Sequence, residues 1–299
     1  MKNKKIQIIE ASTILGLRPT GVEMMSERLI GDGLGKLAEM NQVIKIKDMN
    51  YLYTKVRDKS GIINSEAIIE FSRLLKEELG KTVQSKLFPL IIGGDCSILL
   101  GIMPALKETS ESGLITFDAH SDYYVGFESE TGEVADMDIA IITGKGPEYL
   151  TNIDNMRPYV NEEHVIHIGQ RDEEEVKEYN ASKIEDSMIN MYTLNSILKI
   201  GIEKTIESVI EKMNLIDTGE FWIHFDTDVI NDAENPAVDY RLSGGLSFQE
   251  CERILKKLME TGKISGISIS IYNPLLDKDH AVSRKLVKLI KNILNIGNI

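Results

Sequence analysis

The sequence has few cysteines, and this scarcity excludes two kinds of small stabilised fold. Only Cys96 and Cys251 occur among the 299 residues. Two cysteines are too few for a disulfide framework or for a zinc module built on several thiolates. A chain without a disulfide framework suits a reducing compartment, so we expect a cytoplasmic protein.

Long apolar runs and an excess of positive charge are also lacking. No run approaches the roughly 18 apolar residues that a membrane-spanning helix needs, so no membrane partner is expected. Lys and Arg number 34 against 47 Asp and Glu, which gives a net charge of −13. Because a phosphate backbone is bound by a basic face, this balance argues against nucleic acid as a partner.

Short apolar segments alternate with helical patterns along the chain. Strands are predicted over residues 5–10, 42–47, 87–92, 114–118, 164–168, 188–192, 221–226 and 264–270, and several are the unbroken apolar runs typical of strands buried on both faces. Helices are predicted over residues 66–79, 195–214, 247–261 and 280–294. In the third helix, Ser247 and Glu250 have the spacing of a capping box.

This alternation predicts an α/β fold with three layers, α/β/α, around a mostly parallel sheet of about eight strands. The seven prolines are scattered, and no linker rich in Pro or Ser divides the chain. A single domain over residues 1–299 is therefore predicted. Ligands of such sheets bind beyond the carboxyl ends of the strands, which makes the residues just after each strand the first place to search.

Polar clusters follow three of the predicted strands. They are Gly93-Gly94-Asp95-Cys96-Ser97, Asp118-Ala119-His120-Ser121-Asp122 and Asp226-Thr227-Asp228. Each aspartate alone is more typical of a turn or a helix cap. However, the four carboxylates of Asp118, Asp122, Asp226 and Asp228 would repel one another at close range unless a cation lay among them. Carboxylate oxygens with one imidazole suit a divalent ion such as Mn²⁺. Their joint occurrence predicts a metal site.

These motifs resemble those of the ureohydrolases, the family of arginase, agmatinase and formimidoylglutamase. The family motifs GGDH-S, DAHxD, SxDxD and GGLTxRE correspond to residues 93–97, 118–122, 224–228 and 244–250, and the Asn-Pro pair to residues 273–274. The resemblance covers roughly residues 5–295. It implies the arginase-like fold, a small guanidino or amidino substrate and a homo-oligomer, either a trimer or a hexamer.

The resemblance also implies two divalent metal ions, with Mn²⁺ favoured. One ion would be held by Cys96, Asp118, Asp122 and Asp226, and the other by Asp118, His120, Asp226 and Asp228. A hydroxide shared by two such ions forms near neutral pH and would attack the trigonal carbon of the substrate. Asp122 would orient this hydroxide and accept its proton.

Three positions depart from the family pattern. Cys96 replaces the histidine of GGDH; a thiolate can bind a divalent ion but is softer, and the alternative is a buried thiol beside a weak or absent metal site. Ala135 stands where the family has its proton-shuttling histidine. Asp136 or Asp138 could substitute as an acid, and we place Asp136 in the catalytic set, although both could be solvated loop residues. Ile271 replaces the glutamate that pairs with a guanidinium.

Four further residues are predicted as substrate contacts: Thr131, Asp172, Glu174 and Tyr272. Asp172 and Glu174 match acids that meet the α-amino end of an amino-acid substrate in the family. The alternative for this pair is a solvated acidic turn that opens a helix. Tyr272 could offer its hydroxyl or could simply pack in the core.

The sequence therefore predicts a metal-dependent amidinohydrolase that cleaves a linear C–N bond of an amino-acid-like guanidino or amidino compound. Because a desolvated guanidinium needs a carboxylate partner, the loss at Ile271 favours an N-modified, less basic arginine over arginine itself. The alternative is a catalytically impaired homologue that acts as a binding or regulatory subunit.

Overall fold

All eight predicted strands are present, and each boundary lies within two residues of its expected place. The computed structural model describes residues 5–38, 42–47, 51 and 53–294. In chain order the strands are β1 Ile6–Ala11, β2 Val43–Lys45, β3 Phe88–Gly93, β4 Ser112–Phe117, β5 Val165–Ile168, β6 Asn190–Tyr192, β7 Glu220–Asp226 and β8 Ile264–Ser270.

Ten α-helices lie between and after these strands in the described part of the chain. They are α1 Met25–Gly31, α2 Ser65–Gln84, α3 Leu99–Lys107, α4 Asp138–Ile142, α5 Glu148–Thr151, α6 Glu173–Glu178, α7 Leu194–Ile200, α8 Ile202–Leu215, α9 Phe248–Glu260 and α10 Ala281–Leu294. The capping box of α9 is confirmed, since Ser247 accepts the Glu250 amide and the Glu250 carboxylate accepts the Ser247 amide.

One helix prediction was wrong in its continuity. The segment 195–214 is two helices, α7 and α8, separated at Gly201 with φ 85°. The apolar spacing runs through this point, but a positive φ cannot be part of a right-handed helix and is readily adopted by glycine. Periodicity records which face is buried, and both helices bury the same face.

The strands form one eight-stranded sheet in the order β2-β1-β3-β8-β7-β4-β5-β6. Every strand pair is parallel, so the expected mostly parallel sheet is confirmed and is in fact parallel throughout. The edge strands β2 and β6 are short and only half-buried. The inner strands β3, β4, β7 and β8 are buried along almost their whole length, as strands covered on both faces must be.

Hydrophobic cores cover both faces of the sheet, which confirms the three layers. On one face Ile223 and Phe225 pack with side chains from α1, α8, α9 and α10. On the other face Trp222 packs with side chains from α2, α3 and α4. Successive residues of β7 thus enter different cores, following the period of two in a strand. No helix in the described ranges is long and apolar enough to cross a membrane.

This topology determines where the polar clusters meet. Strands β3, β8, β7 and β4 lie side by side in the sheet in this order. In sequence, however, β3 and β4 lie far from β7 and β8. Because all strands are parallel, their carboxyl ends lie along the same edge. The clusters that follow β3, β4 and β7 are therefore brought to one place.

Candidate metal centre

The segment after β4 places His120 between two carboxylates. The Nδ1 atom of His120 lies 2.8 Å from Oδ2 of Asp228 and 3.8 Å from Oδ1 of Asp118. Backbone amides fix both acids, since the His120 amide donates to Asp118 and the Ala119 amide donates to Asp228. Asp118, His120 and Asp228 each offer a ligand atom within 4.8 Å of the others. These three residues form the first group of candidate ligands.

A second group joins Cys96 to Asp118 and Asp226, whose ligand atoms also lie within 4.8 Å of one another. The thiol of Cys96 donates to Oδ2 of Asp226 at 2.9 Å, and the other oxygen of Asp226 accepts the Asp228 amide at 2.8 Å. Cys96 is a buried free thiol. Its neighbour Asp95 instead caps the turn by accepting the Ser97 amide.

Asp122 lies among these carboxylates, although it belongs to neither group. Its backbone has φ 47°, a left-handed conformation that Asp tolerates better than most residues and that turns the chain after the DAHxD motif. Burial raises the pKa of Asp122 well above its usual range, and repulsion from Asp138 and Asp226 adds to the effect. Asp122 is therefore close enough to Asp138 and Asp226 to interact with them electrostatically.

Burial and mutual repulsion make the cluster unfavourable without a cation. They raise the pKa of Asp118 and of Asp226 far above the usual value. Burial lowers the pKa of a histidine, but the adjacent acids raise that of His120 to about 10. In the absence of another cation, a protonated imidazole thus supplies the positive charge that the acids require.

The residues fit a pair of divalent ions. Their donors are carboxylate oxygens, an imidazole and a thiol, a set that borderline divalent metals accept. Asp118 is common to both groups, as a bridging ligand would be. The His120 side chain is 19% exposed, whereas those of Asp118 and Asp228 are 2% and 5% exposed. The centre is therefore open to solvent on the His120 side.

Asp136 is a half-buried residue whose carboxyl is held by two hydroxyls. Its Oδ2 accepts from Ser129 at 2.7 Å and from Thr131 at 3.2 Å, while Oδ1 is buried without a partner. Burial raises its pKa to about 7, although the Ser129 bond acts in the opposite direction. Asp138 is buried as well. Asp138 is therefore not a solvated loop residue, while Asp136 is partly exposed with one buried oxygen.

The residues predicted to contact the substrate differ in their burial and in the hydrogen bonds that they form within the protein. Thr131 donates its hydroxyl to Asp136. Asp172 is buried and accepts from the amide and hydroxyl of Ser121 at 2.8 and 2.9 Å, so it anchors the turn that carries His120 and Asp122. Glu174 is exposed on the first turn of α6.

Tyr272 is not brought to the carboxylate groups by any hydrogen bond in the described residues. Its side chain is fully buried, and its hydroxyl donates to Asp277 at 2.8 Å. Asp277 in turn accepts the Ser283 amide of α10 at 2.9 Å. A role for Tyr272 in substrate binding stays a prediction, and these contacts favour the packing role that the sequence left open.

The three positions that depart from the family pattern lie together. Cys96, Ala135 and Ile271 belong to one small buried apolar cluster, which is separate from the two main cores. Ile271 also has φ 72°, a strained conformation for a β-branched residue, and its amide donates to the Gly94 carbonyl at 2.9 Å. The changes thus form one apolar patch beside the acids.

Sequence reasoning missed a third group of possible ligands. Cys96, Asp138 and His224 are all buried, and their ligand atoms lie within 4.8 Å of one another. The family pattern implied neither Asp138 nor His224 as a metal ligand, and Asp138 was expected only as a possible substitute acid. One signal was available: residues 224 and 226 alternate on β7, so the imidazole faces the same side as the Asp226 carboxylate.

Comparisons with known proteins agree with this geometry. The model of the Arginase family matches residues 19–295. The arginase of Staphylococcus aureus (strain COL) is 29% identical over 299 residues, which cover 97% of this chain and 96% of the relative. The native structure of arginase from Bacillus caldovelox superposes with a TM-score of 0.85 at 25% identity, covering 98% of this chain and 99% of that one. Formimidoylglutamase from Bacillus subtilis subsp. subtilis str. 168 shares the fold alone, with a TM-score of 0.75 at 16% identity over 100% of this chain and 89% of that one.

Proposed function

We propose that this chain, which belongs to the arginase family, is a metal-dependent hydrolase. Its substrate is a guanidino or amidino compound, in which it cleaves a linear C–N bond. The observation that carries the proposal is the convergence of two overlapping ligand groups that share Asp118. The acids of both groups come from the ends of neighbouring strands in one sheet. Ordinary helix caps would not gather them in this way.

The proposed metal ligands are those expected from the sequence: Cys96, Asp118, His120, Asp122, Asp226 and Asp228. Divalent ions bound there supply Lewis acidity and lower the pKa of water toward neutrality. Mn²⁺ as the native ion, a homo-oligomer of three or six chains and a cytoplasmic location remain predictions.

Asp122 and Asp136 are the proposed proton carriers. Asp122 lies among the ligand carboxylates and is placed to orient the attacking water and take its proton. Asp136 has a free buried oxygen and a second oxygen fixed by Ser129 and Thr131. It can deliver a proton to the departing amine in place of the histidine that Ala135 replaces. On this view Thr131 acts by positioning Asp136.

The apolar patch indicates the chemistry of the substrate head group. A cationic guanidinium would be desolvated beside Ile271 without a carboxylate to pair with it, and such burial is costly. A neutral or weakly basic head, as in an N-hydroxylated guanidine, avoids that cost. We therefore favour an N-modified arginine-like substrate, with Glu174 and Asp172 as candidate contacts for its α-amino end.

A substrate screen tests the proposal. The metal-replete chain is incubated with arginine, N-hydroxyarginine, agmatine and formimino compounds, and urea, hydroxyurea, formamide and ammonia are measured. We expect turnover of a guanidino or amidino compound, with N-hydroxyarginine preferred over arginine. Asp122→Asn serves as the matched inactive control. Bound metal without release from any of these compounds would contradict a hydrolase and favour the binding or regulatory subunit, which the apolar replacements at Ala135 and Ile271 would also suit.

A further inference from the structure

We propose that the ion bound by the Cys96 thiolate is held with Asp138 and His224, in place of the group with Asp118 and Asp226, at a site suited to a thiolate-binding ion such as Zn²⁺. The three side chains come from the turn after β3, the start of α4 and the middle of β7. All are buried, and one ligand atom of each lies within 4.8 Å of the other two. Neither Asp138 nor His224 belongs to the ligand set that the family resemblance implies.

The carboxylate of Asp138 is buried without a hydrogen-bond partner, and this supports a cation site independently of the distances between the three ligand atoms. The Asp138 side chain is 1% exposed, and neither carboxylate oxygen has a hydrogen-bond partner among the described residues. Burial raises the pKa of Asp138 well above its usual value; the Ile139 amide acts in the opposite direction but does not meet hydrogen-bond geometry with either oxygen. An unpaired buried carboxylate is costly, and it is ordinarily compensated by a cation or by protonation.

His224 is oriented as a metal-binding histidine would be. Its Nδ1 atom lies 2.8 Å from the Ser268 hydroxyl, and its Nε2 atom lies 3.2 Å from the Ser270 hydroxyl. Ser268 also accepts the Trp222 indole N–H at 2.9 Å and lies 3.5 Å from the Ile223 carbonyl. If Ser268 donates to that carbonyl, it accepts from Nδ1–H as well. Nε2 then carries the lone pair that a metal requires, with the other nitrogen held by a hydrogen bond.

The thiol lies beside the same hydroxyl as the imidazole. The Sγ atom of Cys96 is 3.1 Å from the Ser270 hydroxyl, and that hydroxyl also contacts His224. The single S–H of Cys96 can donate to Ser270 or to Asp226, so without an ion the thiol and the imidazole both have partners, whereas Asp138 is left unpaired. An ion bound by all three side chains would satisfy Asp138 too.

The donor types select the ion. One thiolate, one imidazole and one carboxylate match the tetrahedral preference of Zn²⁺, and three protein ligands leave one position open. Cys96 is common to this group and to the group with Asp118 and Asp226. The inference thus deepens the metal-centre part of the proposed function and does not depend on the substrate.

Cobalt substitution of the full-length chain tests the site. The protein is stripped with a chelator and titrated with Co²⁺, whose thiolate charge-transfer absorption reports a bond to Cys96, and Zn²⁺ competition then gives the affinity. We expect this absorption in the wild type and a loss of affinity of about 100-fold or more in Asp138→Asn and in His224→Gln, since supporting contacts alone change metal affinity by about 10–100-fold. The matched control is His167→Gln, because His167 is another buried histidine of the sheet. Thr116 of β4 is paired with His167 on one side and with His224 on the other. That control should bind Co²⁺ as the wild type does.

Three outcomes would overturn the inference, and they separate it from the hydrolase proposal. Unchanged Co²⁺ affinity and absorption in both Asp138→Asn and His224→Gln would assign the thiolate to the group with Asp118 and Asp226, leaving the proposed function intact. A wild-type chain that retains Mn²⁺ but gives no thiolate absorption with Co²⁺ would assign the bound ions to the carboxylates. That result would also leave the proposed function intact. A wild-type chain that binds no Mn²⁺, Zn²⁺ or Co²⁺ would end both proposals.

A second measurement guards against loss of folding. Asp138→Asn removes an unpaired buried charge, so the metal-free variant should melt no lower than the metal-free wild type. Its gain in melting temperature with Zn²⁺ should nevertheless be smaller than that of the wild type. An equal gain in both proteins would contradict the site.

Discussion

Replacing Cys96 by Ala should remove one of two bound ions, while the same change at Cys251 should remove none. Both thiols are buried and neither forms a disulfide. They differ in their surroundings. Cys96 donates to Asp226 within the candidate ligand groups and also lies 3.1 Å from the Ser270 hydroxyl, whereas Cys251 lies in the apolar core between α9 and the sheet. Cys251→Ala is therefore a matched control for loss of a buried sulfur.

The expected changes in unfolding free energy can be estimated from these contacts. Loss of either sulfur removes a buried group of roughly one methylene, worth about 1 kcal/mol. Cys96→Ala also leaves Asp226 Oδ2 without its donor, which adds about 1–3 kcal/mol in a metal-free buffer. Free metal at about 100 times its dissociation constant stabilises the wild type by about 2.7 kcal/mol for each site. Cys96→Ala forgoes that gain at one site.

Melting temperatures and metal content measure these terms. For a chain of this length, 1 kcal/mol corresponds to about 1.6 °C. Cys96→Ala should thus melt about 2–5 °C below Cys251→Ala in chelator and about 6–9 °C below it with saturating metal. Elemental analysis after Mn²⁺ loading and desalting should give two ions per chain in Cys251→Ala and about one in Cys96→Ala. Equal metal content and an equal metal-dependent rise in both variants would refute ligation by Cys96.

Three further predictions concern the surroundings of the centre. Asp136→Asn should lower kcat by roughly 10²–10⁴-fold with unchanged metal content, because it removes a proton carrier; a kcat within twofold of the wild type would contradict that role. Ile271→Glu should improve kcat/KM for arginine relative to N-hydroxyarginine by supplying a carboxylate for the guanidinium, and an unchanged ratio of the two kcat/KM values would show that the apolar patch does not select the head group. Asp277→Ala should lower the unfolding free energy by about 1–3 kcal/mol at neutral pH while leaving KM unchanged. Burial raises the pKa of Asp277, but hydrogen bonds from Ser283 and Tyr272 hold it below the usual value. The wild-type advantage in denaturant titrations should therefore be full above the ordinary Asp pKa and disappear as pH falls through the lower folded value, and an advantage independent of pH would contradict this assignment.

The apolar segments of the sequence were sufficient to locate every strand. A strand buried on both faces is dominated by apolar residues, so polar clusters mark its ends, although β7 and β8 also bury His224, Ser268 and Ser270. The same rule placed Asp118 and Asp226 at the carboxyl ends of β4 and β7. The break at Gly201 was not visible in this way, because the buried face continues across it and periodicity alone does not report a positive φ.

The structure brings most of the predicted ligands together, and it gives the neighbouring residues partners that the sequence did not show. DAHxD and DxD are local motifs, so their acids can be grouped from the sequence, although the chain is not simply extended there: Asp228 lies in a 3₁₀ turn and Asp122 has a left-handed backbone. Thr131 was expected to touch the substrate, which stays a prediction, and in the structure its hydroxyl donates to Asp136. Asp172 was expected in a similar role and anchors the turn at Ser121. Short polar side chains in loops give no local signal of which polar partner they will meet.

The sequence by itself determined the α/β class, the eight strands and the acids that gather at their ends, because these features follow from local hydrophobicity and the period of a strand. Only the tertiary structure decided the strand order that makes β3, β8, β7 and β4 neighbours. That order brings Cys96, Asp138 and His224 together across 128 residues of chain. It also gathers Cys96, Ala135 and Ile271 into one apolar patch. Contacts between distant segments depend on how crossover helices pack on the sheet, and no short stretch of sequence contains that information.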